Sequence, residues 1–211
     1  MDSLTMRPEE IEAESFRIID CEVGEHDWPE PQWQVVRRAI HTSADFEYSR
    51  TMIFSEGAVE RAIKAIRDGA AIVTDTTMAL SGIAKARLAP FGCTLSCHVA
   101  DPDVAGQARH EGITRSIAAM RKAVAATPGA VFVIGNAPTA LFELLRLIGG
   151  GTAEPALVIG LPVGFVGAEE SKNALAAMGV PVPFITNMGR KGGSNVAAAV
   201  VNALAILAGQ E

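Results

Sequence analysis

The sequence predicts an α/β protein built on a mostly parallel sheet flanked by helices, preceded by an N-terminal helical segment. Three observations carry that prediction. Short, continuous, β-branched runs read as strands covered on both faces, and segments with apolar residues at helical spacing separate them. Glycine-rich turns follow several of the runs, as in a Rossmann-like sheet whose loops gather at one edge. At 211 residues the chain suits one well-buried unit and is short for two with a linker, so residues 1–211 form a single expected domain.

The first expected element is a helix from Pro8 to about Ile18, followed by a connection holding Trp28, Pro29 and Pro31 and a second helix from about Gln32 to Ile40. Ser55 can cap a helix on which Val59, Ile63 and Ile66 share a face and which Gly69 ends. The runs Ala70–Thr74, Ala130–Ile134, Ala156–Gly160 and Val182–Thr186 are the expected strands of the sheet core. Thr94–Val99 alternates polar with apolar and reads as a half-exposed strand nearer an edge. Ile113, Ile117, Met120 and Val124 recur at helical spacing, as do Leu141, Leu144, Leu145 and Ile148. The apolar stretch Val196–Gly209 is too short to span a bilayer and contains Asn202, so it is expected to be a buried or interface helix.

Composition narrows the function. Apolar residues make up 49% of the chain and mean hydropathy is +0.25, more than a small monomer needs, which favours a homo-oligomer. Net charge of −6 and a pI near 5.3 argue against nucleic acid and anionic membrane as partners, so any anion site must be local. The acidic N-terminus does not read as an export signal, and three cysteines fit a reducing compartment, so a cytoplasmic location is expected.

Cys93, Cys97 and His98 lack a second ligand pair, and His110-Glu111 lacks the second histidine of a zinc helix, so no metal site is expected. None of the glycine turns spells a dinucleotide fingerprint or a P-loop. The turns at Gly135-Asn136, Gly160 to Gly164 and Arg190 to Ser194 nevertheless follow strands and precede helices, so their amide groups can serve an anionic ligand. In the last of them Arg190 and Lys191 stand beside Gly192, Gly193 and a helix-capping Ser194, which suits a carboxylate or phosphate clamp. Arg37, Arg38 and Arg115 are further cations, and His41, beside Arg38 and just before Asp45-Phe46-Glu47, offers proton transfer.

Taken together, the strings AESF, RAIHTSADFEY, TRS, IGNAPTAL, PALVIGLPVGFVGAEESK and GRKGGS, in this order over nearly the whole chain, resemble the precorrin isomerases, or precorrin-8X methylmutases, of cobalamin biosynthesis. The resemblance implies an α/β domain that forms a homodimer with its macrocycle pocket at the interface, and a reaction without cofactor. That reaction moves a methyl group from ring carbon 11 to ring carbon 12, a formal sigmatropic shift on precorrin-8X or cobalt-precorrin-8 that gives hydrogenobyrinate or cobyrinate. By the same resemblance His41 is the catalytic residue, while Ser15 and Arg38 contact the corrinoid substrate. Arg115, Asn136, Gly164, Arg190, Lys191 and Gly192 fall in matching motifs and are implied substrate contacts. A fringe of carboxylates would need those cations, and an imidazolium at position 41 could polarise the conjugated ring by donating a proton or hydrogen bond. The rival expectation from a different class is a non-catalytic corrinoid or tetrapyrrole carrier, against which the presence of His41 argues. A methyltransferase using S-adenosylmethionine would want a glycine-rich turn where Asp75-Thr76-Thr77 stands.

Overall fold

The computed structural model describes residues 7–179 and 182–210, so the first six residues of the acidic N-terminal segment lie outside it. Six strands form one sheet in the order β1 (Met52–Phe54), β6 (Phe184–Asn187), β5 (Leu157–Gly160), β4 (Val131–Ile134), β2 (Ala71–Thr74) and β3 (Thr94–Ser96). All neighbours are parallel except β1, which runs antiparallel to β6. The four expected core strands are present with slightly shorter bounds, and Thr94–Ser96 is the edge strand its alternation announces. Every residue of β4 and β5 is buried, as continuous apolar runs between two helical layers require.

One layer holds α2 (Glu30–Ser43), α4 (Ala58–Arg67), α5 (Thr77–Gly82) and the central α11 (Ser194–Ala208), with α1 (Pro8–Val23) outside α2. The other holds α8 (Arg115–Ala126), α9 (Pro138–Gly149) and α10 (Ala168–Ala176), with α7 (Pro102–Glu111) outside α8. The short helices α3 (Tyr48–Thr51) and α6 (Lys85–Leu88) complete the set. The apolar C-terminal stretch is α11, and it is buried within the chain itself: Val196, Val200, Val201 and Leu204 are all at most 1% exposed. Gly82 lets α5 lie against α11, since an added Cβ would come within 2.9 Å of the Ala198 Cβ.

Several local expectations are corrected. Ser55 does not cap α4; its hydroxyl accepts the Phe184 amide at 2.8 Å, and Gly57 in a left-handed conformation precedes the helix. Ser194 lies inside α11 and bonds the Thr76 hydroxyl at 2.8 Å, leaving Gly193 at the cap position. β1, α3 and α6 are too short to show a period in the sequence, so nothing in the pattern announces them. His98 lies beyond β3 and pairs with Asp101 at 3.0 Å, and no cluster of metal-binding side chains occurs among the described residues.

Candidate functional site

The parallel order reverses beside β2: the chain passes from β2 out to β3 and then back to β4 on the other flank. Ligands of such sheets sit in the crevice outside the carboxyl ends of the strands at this point. Here the crevice holds a side chain of the protein. Asp75, directly after β2, is 4% exposed, and its carboxylate accepts the amides of Gly135 at 2.9 Å, Asn136 at 2.9 Å and Ala137 at 2.7 Å. Burial pushes its carboxyl above the ordinary range while the three amides pull it back. The turn after β4 therefore spends its N–H groups on Asp75. What Asn136 still offers outward is its exposed side chain. Gly135 is required here for another reason, because an added Cβ would lie 2.7 Å from the Ser194 Cα at the start of α11.

Away from that crevice, α1 and α2 bring Glu12 and Phe16 together with Arg38 and His41. Arg38 pairs with Glu12 and lies 4.7 Å over the Phe16 ring, and the His41 ring meets the same ring edge-on at 5.2 Å. Arg37 covers Phe16 at 4.5 Å and holds Asp20 at 2.8 Å. Phe16 thus organises two guanidinium groups and an imidazole. The hydrogen bond from Arg38 holds the Glu12 carboxyl below its usual range. Ser15 donates its hydroxyl to the Ile11 carbonyl at 2.8 Å, so the oxygen remains free to accept. His41 is exposed in the last turn of α2. Phe16, Arg37 and Arg38 line a groove of about 170 Å³ with Gln34, Ala203, Ile206 and Gln210.

The loop between β6 and α11 links these two halves. Lys191 reaches Asp45 at 2.6 Å and Glu47 at 3.0 Å, tying the loop to the chain just after His41. Those carboxylates hold the Lys191 ammonium above its ordinary range, and Lys191 holds the Asp45 carboxyl below its own. Arg190 is exposed and lies 5.8 Å over the Phe165 ring, while its carbonyl accepts the Gly164 amide at 3.2 Å. A Cβ on Gly192 would overlap the carbonyl oxygens of Leu161 and Pro162, so only glycine lets the two loops lie together. Arg115 opens α8 at the same edge, exposed and without an ion pair among the described residues. The hydroxyls of Thr114 and Thr139, 3.2 Å apart, join its helix to the start of α9.

The expected site residues therefore fall into two groups. Arg38 and His41 share the Phe16 ring, with Ser15 one residue before it on α1, whereas Arg115, Asn136, Gly164, Arg190 and Gly192 lie at the sheet edge, with Lys191 between the groups. Reading the sequence missed Phe16, Glu12 and Asp75 as organisers. Only Asp75 left a local signal, an acidic residue immediately after a strand.

The edge also exposes Phe165 at 85%, Val166 at 89% and Met188 at 56% beside its cations. Cationic and apolar loops over a doubly covered parallel sheet define an α/β enzyme for a large, partly apolar, anionic small molecule. The precorrin-8X methylmutase family profile matches residues 10–207. A cobalt-precorrin-8 methylmutase of Priestia megaterium is 50% identical over 97% of this chain and 90% of its own. That of Salmonella typhimurium is 47% identical over 94% of each chain. A crystallised precorrin-8X methyl mutase from Thermus thermophilus superposes with a TM-score of 0.86 at 44% identity, covering 94% of this chain and 97% of that one. The chain belongs to the precorrin-8X methylmutase family, and is thereby an isomerase of cobalamin biosynthesis.

Proposed function

We propose that the protein moves the methyl group of cobalt-precorrin-8 from ring carbon 11 to ring carbon 12, with His41 as proton donor to the conjugated ring. The observation that carries this reading is the cluster in which Phe16 holds Arg38 and His41 side by side. A sigmatropic shift breaks one carbon–carbon bond and makes another within the same molecule, so it needs no protein nucleophile. It needs the ring polarised, which an imidazolium in hydrogen-bond reach supplies. Arg38, Arg190 and Arg115 hold the carboxylate fringe in register, Ser15 joins them by turning its hydroxyl from the Ile11 carbonyl to the ligand, and Lys191 tethers the loop.

The cobalt-bearing substrate is favoured because the Priestia and Salmonella relatives, 50% and 47% identical, carry that name. Here cobalt is part of the substrate. Parallel turnover of cobalt-precorrin-8 and precorrin-8X, with no added cofactor, tests both points. Conversion of neither would sink the assignment, and a clear preference for the metal-free compound would reverse the choice of substrate.

The working unit is a homodimer in the cytoplasm. The groove beside Arg38 is lined by neither His41 nor the sheet-edge cations, whereas Phe165, Val166 and Met188 stand exposed near those cations, so a second copy can both enclose a pocket and cover that rim. Light scattering should then give about twice the chain mass of 22.1 kDa. A fully active monomer at micromolar concentration would rule the dimer out.

A further inference from the structure

Lys172 is the largest buried group for which the proposed reaction has no use. It lies on α10, is 1% exposed, and ranks in size with Phe132 and Ile72 among the fully buried side chains. Its ammonium donates to the Lys191 carbonyl at 2.6 Å and to Asn187 Oδ1 at 3.2 Å. The amide of Asn187, itself 1% exposed at the end of β6, donates in turn to the carbonyls of Lys191 at 2.9 Å and Met188 at 3.0 Å. The Lys191 carbonyl is thus gripped by two buried donors, one from a helix and one from a strand.

We infer that Lys172 is a positioning residue, whose buried ammonium fixes the loop from Met188 to Gly193 and so aims Arg190 at the substrate's carboxylates. The inference rests on Arg190 being a ligand contact, as proposed above. Other backbone groups of the loop are held as well: the Met188 amide by the Thr51 carbonyl at 2.8 Å, the Arg190 carbonyl by the Gly164 amide, and the Gly193 amide by the Leu161 carbonyl at 3.0 Å. With its main chain held at residues 188, 190, 191 and 193, the loop leaves the side chains of Arg190 and Lys191 to project. For packing alone an apolar side chain of this volume is the cheaper choice, because burying an ammonium costs several kcal/mol. The charge makes sense as an anchor for a main-chain carbonyl that no neighbouring strand pairs.

Burial lowers the Lys172 ammonium from its ordinary value to about 8, and Glu169 on the same helix opposes that shift. The other elements around it contribute few charges. β5, β6 and α11 contain no ionisable side chain, on α9 Glu143 pairs with Arg146 and with Arg121, and on the loop itself Lys191 pairs with Asp45 and Glu47 while Arg190 is exposed. Above about pH 8 the anchor becomes a neutral amine and its grip on the carbonyl weakens. The contribution of Lys172 to global stability moves the other way: between about 8 and 10.5 the unfolded lysine retains a proton that the folded one has released, so this contribution rises with pH across that window. Opposite trends in stability and in loop order distinguish an anchor from a filler.

The test compares the parent with Lys172→Met and Lys172→Arg, reading hydrogen exchange at residues 188–193 without ligand and the affinity for hydrogenobyrinate. In Lys172→Met the loop amides should exchange faster and the affinity fall by up to about tenfold, the loss expected of Arg190 itself, while Lys172→Arg recovers part of both. In the parent, loop protection corrected for intrinsic exchange should decline from about pH 7 to about pH 9.5, and in Lys172→Met it should not. Loop exchange and affinity unchanged in Lys172→Met would overturn the inference. If Lys172→Met fails to fold, the parent's pH series decides, and flat protection overturns it. Should Arg190→Ala bind as tightly as the parent while Lys172→Met loosens the loop, Arg190 as a ligand contact falls and the anchor stands.

Discussion

The imidazole of His41 stands edge-on to the Phe16 ring, with centroids 5.2 Å apart and planes inclined at 64°. The contact seats the imidazole against the same ring over which Arg37 and Arg38 lie. One aromatic side chain from α1 thereby sets the orientation of the cations on α2.

Phe16→Leu should accordingly reduce kcat/KM by about tenfold, since each cation–aromatic contact is worth roughly 0.5–1 kcal/mol at exposed sites. Leucine keeps the apolar packing between α1 and α2, so the unfolding midpoint in urea should shift little. A variant with parental kinetics would show that Arg38 and His41 need no such support.

Arg190 and Lys191 are neighbours with different partners, and the difference is measurable. Arg190→Ala should weaken hydrogenobyrinate binding by about tenfold and flatten its salt dependence, because an exposed guanidinium facing carboxylates is lost. Lys191→Ala removes ion pairs to Asp45 and Glu47 that are exposed and screened by solvent, and should shift the urea midpoint little. Equal losses of affinity in the two variants would place Lys191 on the ligand as well.

Much of this architecture is legible in the sequence because the core strands are continuous apolar runs. Ala130–Ile134 and Ala156–Gly160 announce β4 and β5 to within a residue, since strands covered on both faces have no other composition available. β1 is three residues long and antiparallel, held by pairing with β6, and no local pattern encodes that partner. The site divides the same way. Glycines at 135 and 192 stand out because only glycine permits the close approaches found there. The ion pairs of Arg38 with Glu12 and of Lys191 with Asp45 join residues 26 and 146 positions apart, and a charge in sequence does not reveal its partner. Asp75 was visible as a residue after a strand, but its occupation of the crevice depends on β4 lying beside β2.

That occupation yields a prediction about stability. Asp75→Asn replaces an acceptor oxygen with an amino group facing amides that must donate, leaving at least one buried N–H of the β4 turn unpaired. The loss should be about 1–3 kcal/mol in urea denaturation. An unchanged midpoint would mean that the turn holds its shape without the carboxylate.

In the proposed mechanism the decisive residue is His41. His41→Ala and His41→Asn should lose about a hundredfold to ten-thousandfold in the rate of methyl migration, the usual cost of removing a positioned general acid. Binding should persist, because Arg38 and Arg190 remain to hold the carboxylate fringe and His41 is exposed at the end of α2 rather than packed in the core. Single-turnover absorbance with stoichiometric substrate separates the two steps: a fast bound phase followed by little or no conversion. If the folded, ligand-bound His41→Ala protein rearranges its substrate at near the parental rate, the proton comes from elsewhere. The polarising role would then fall to the guanidinium of Arg38, which shares the Phe16 ring with His41.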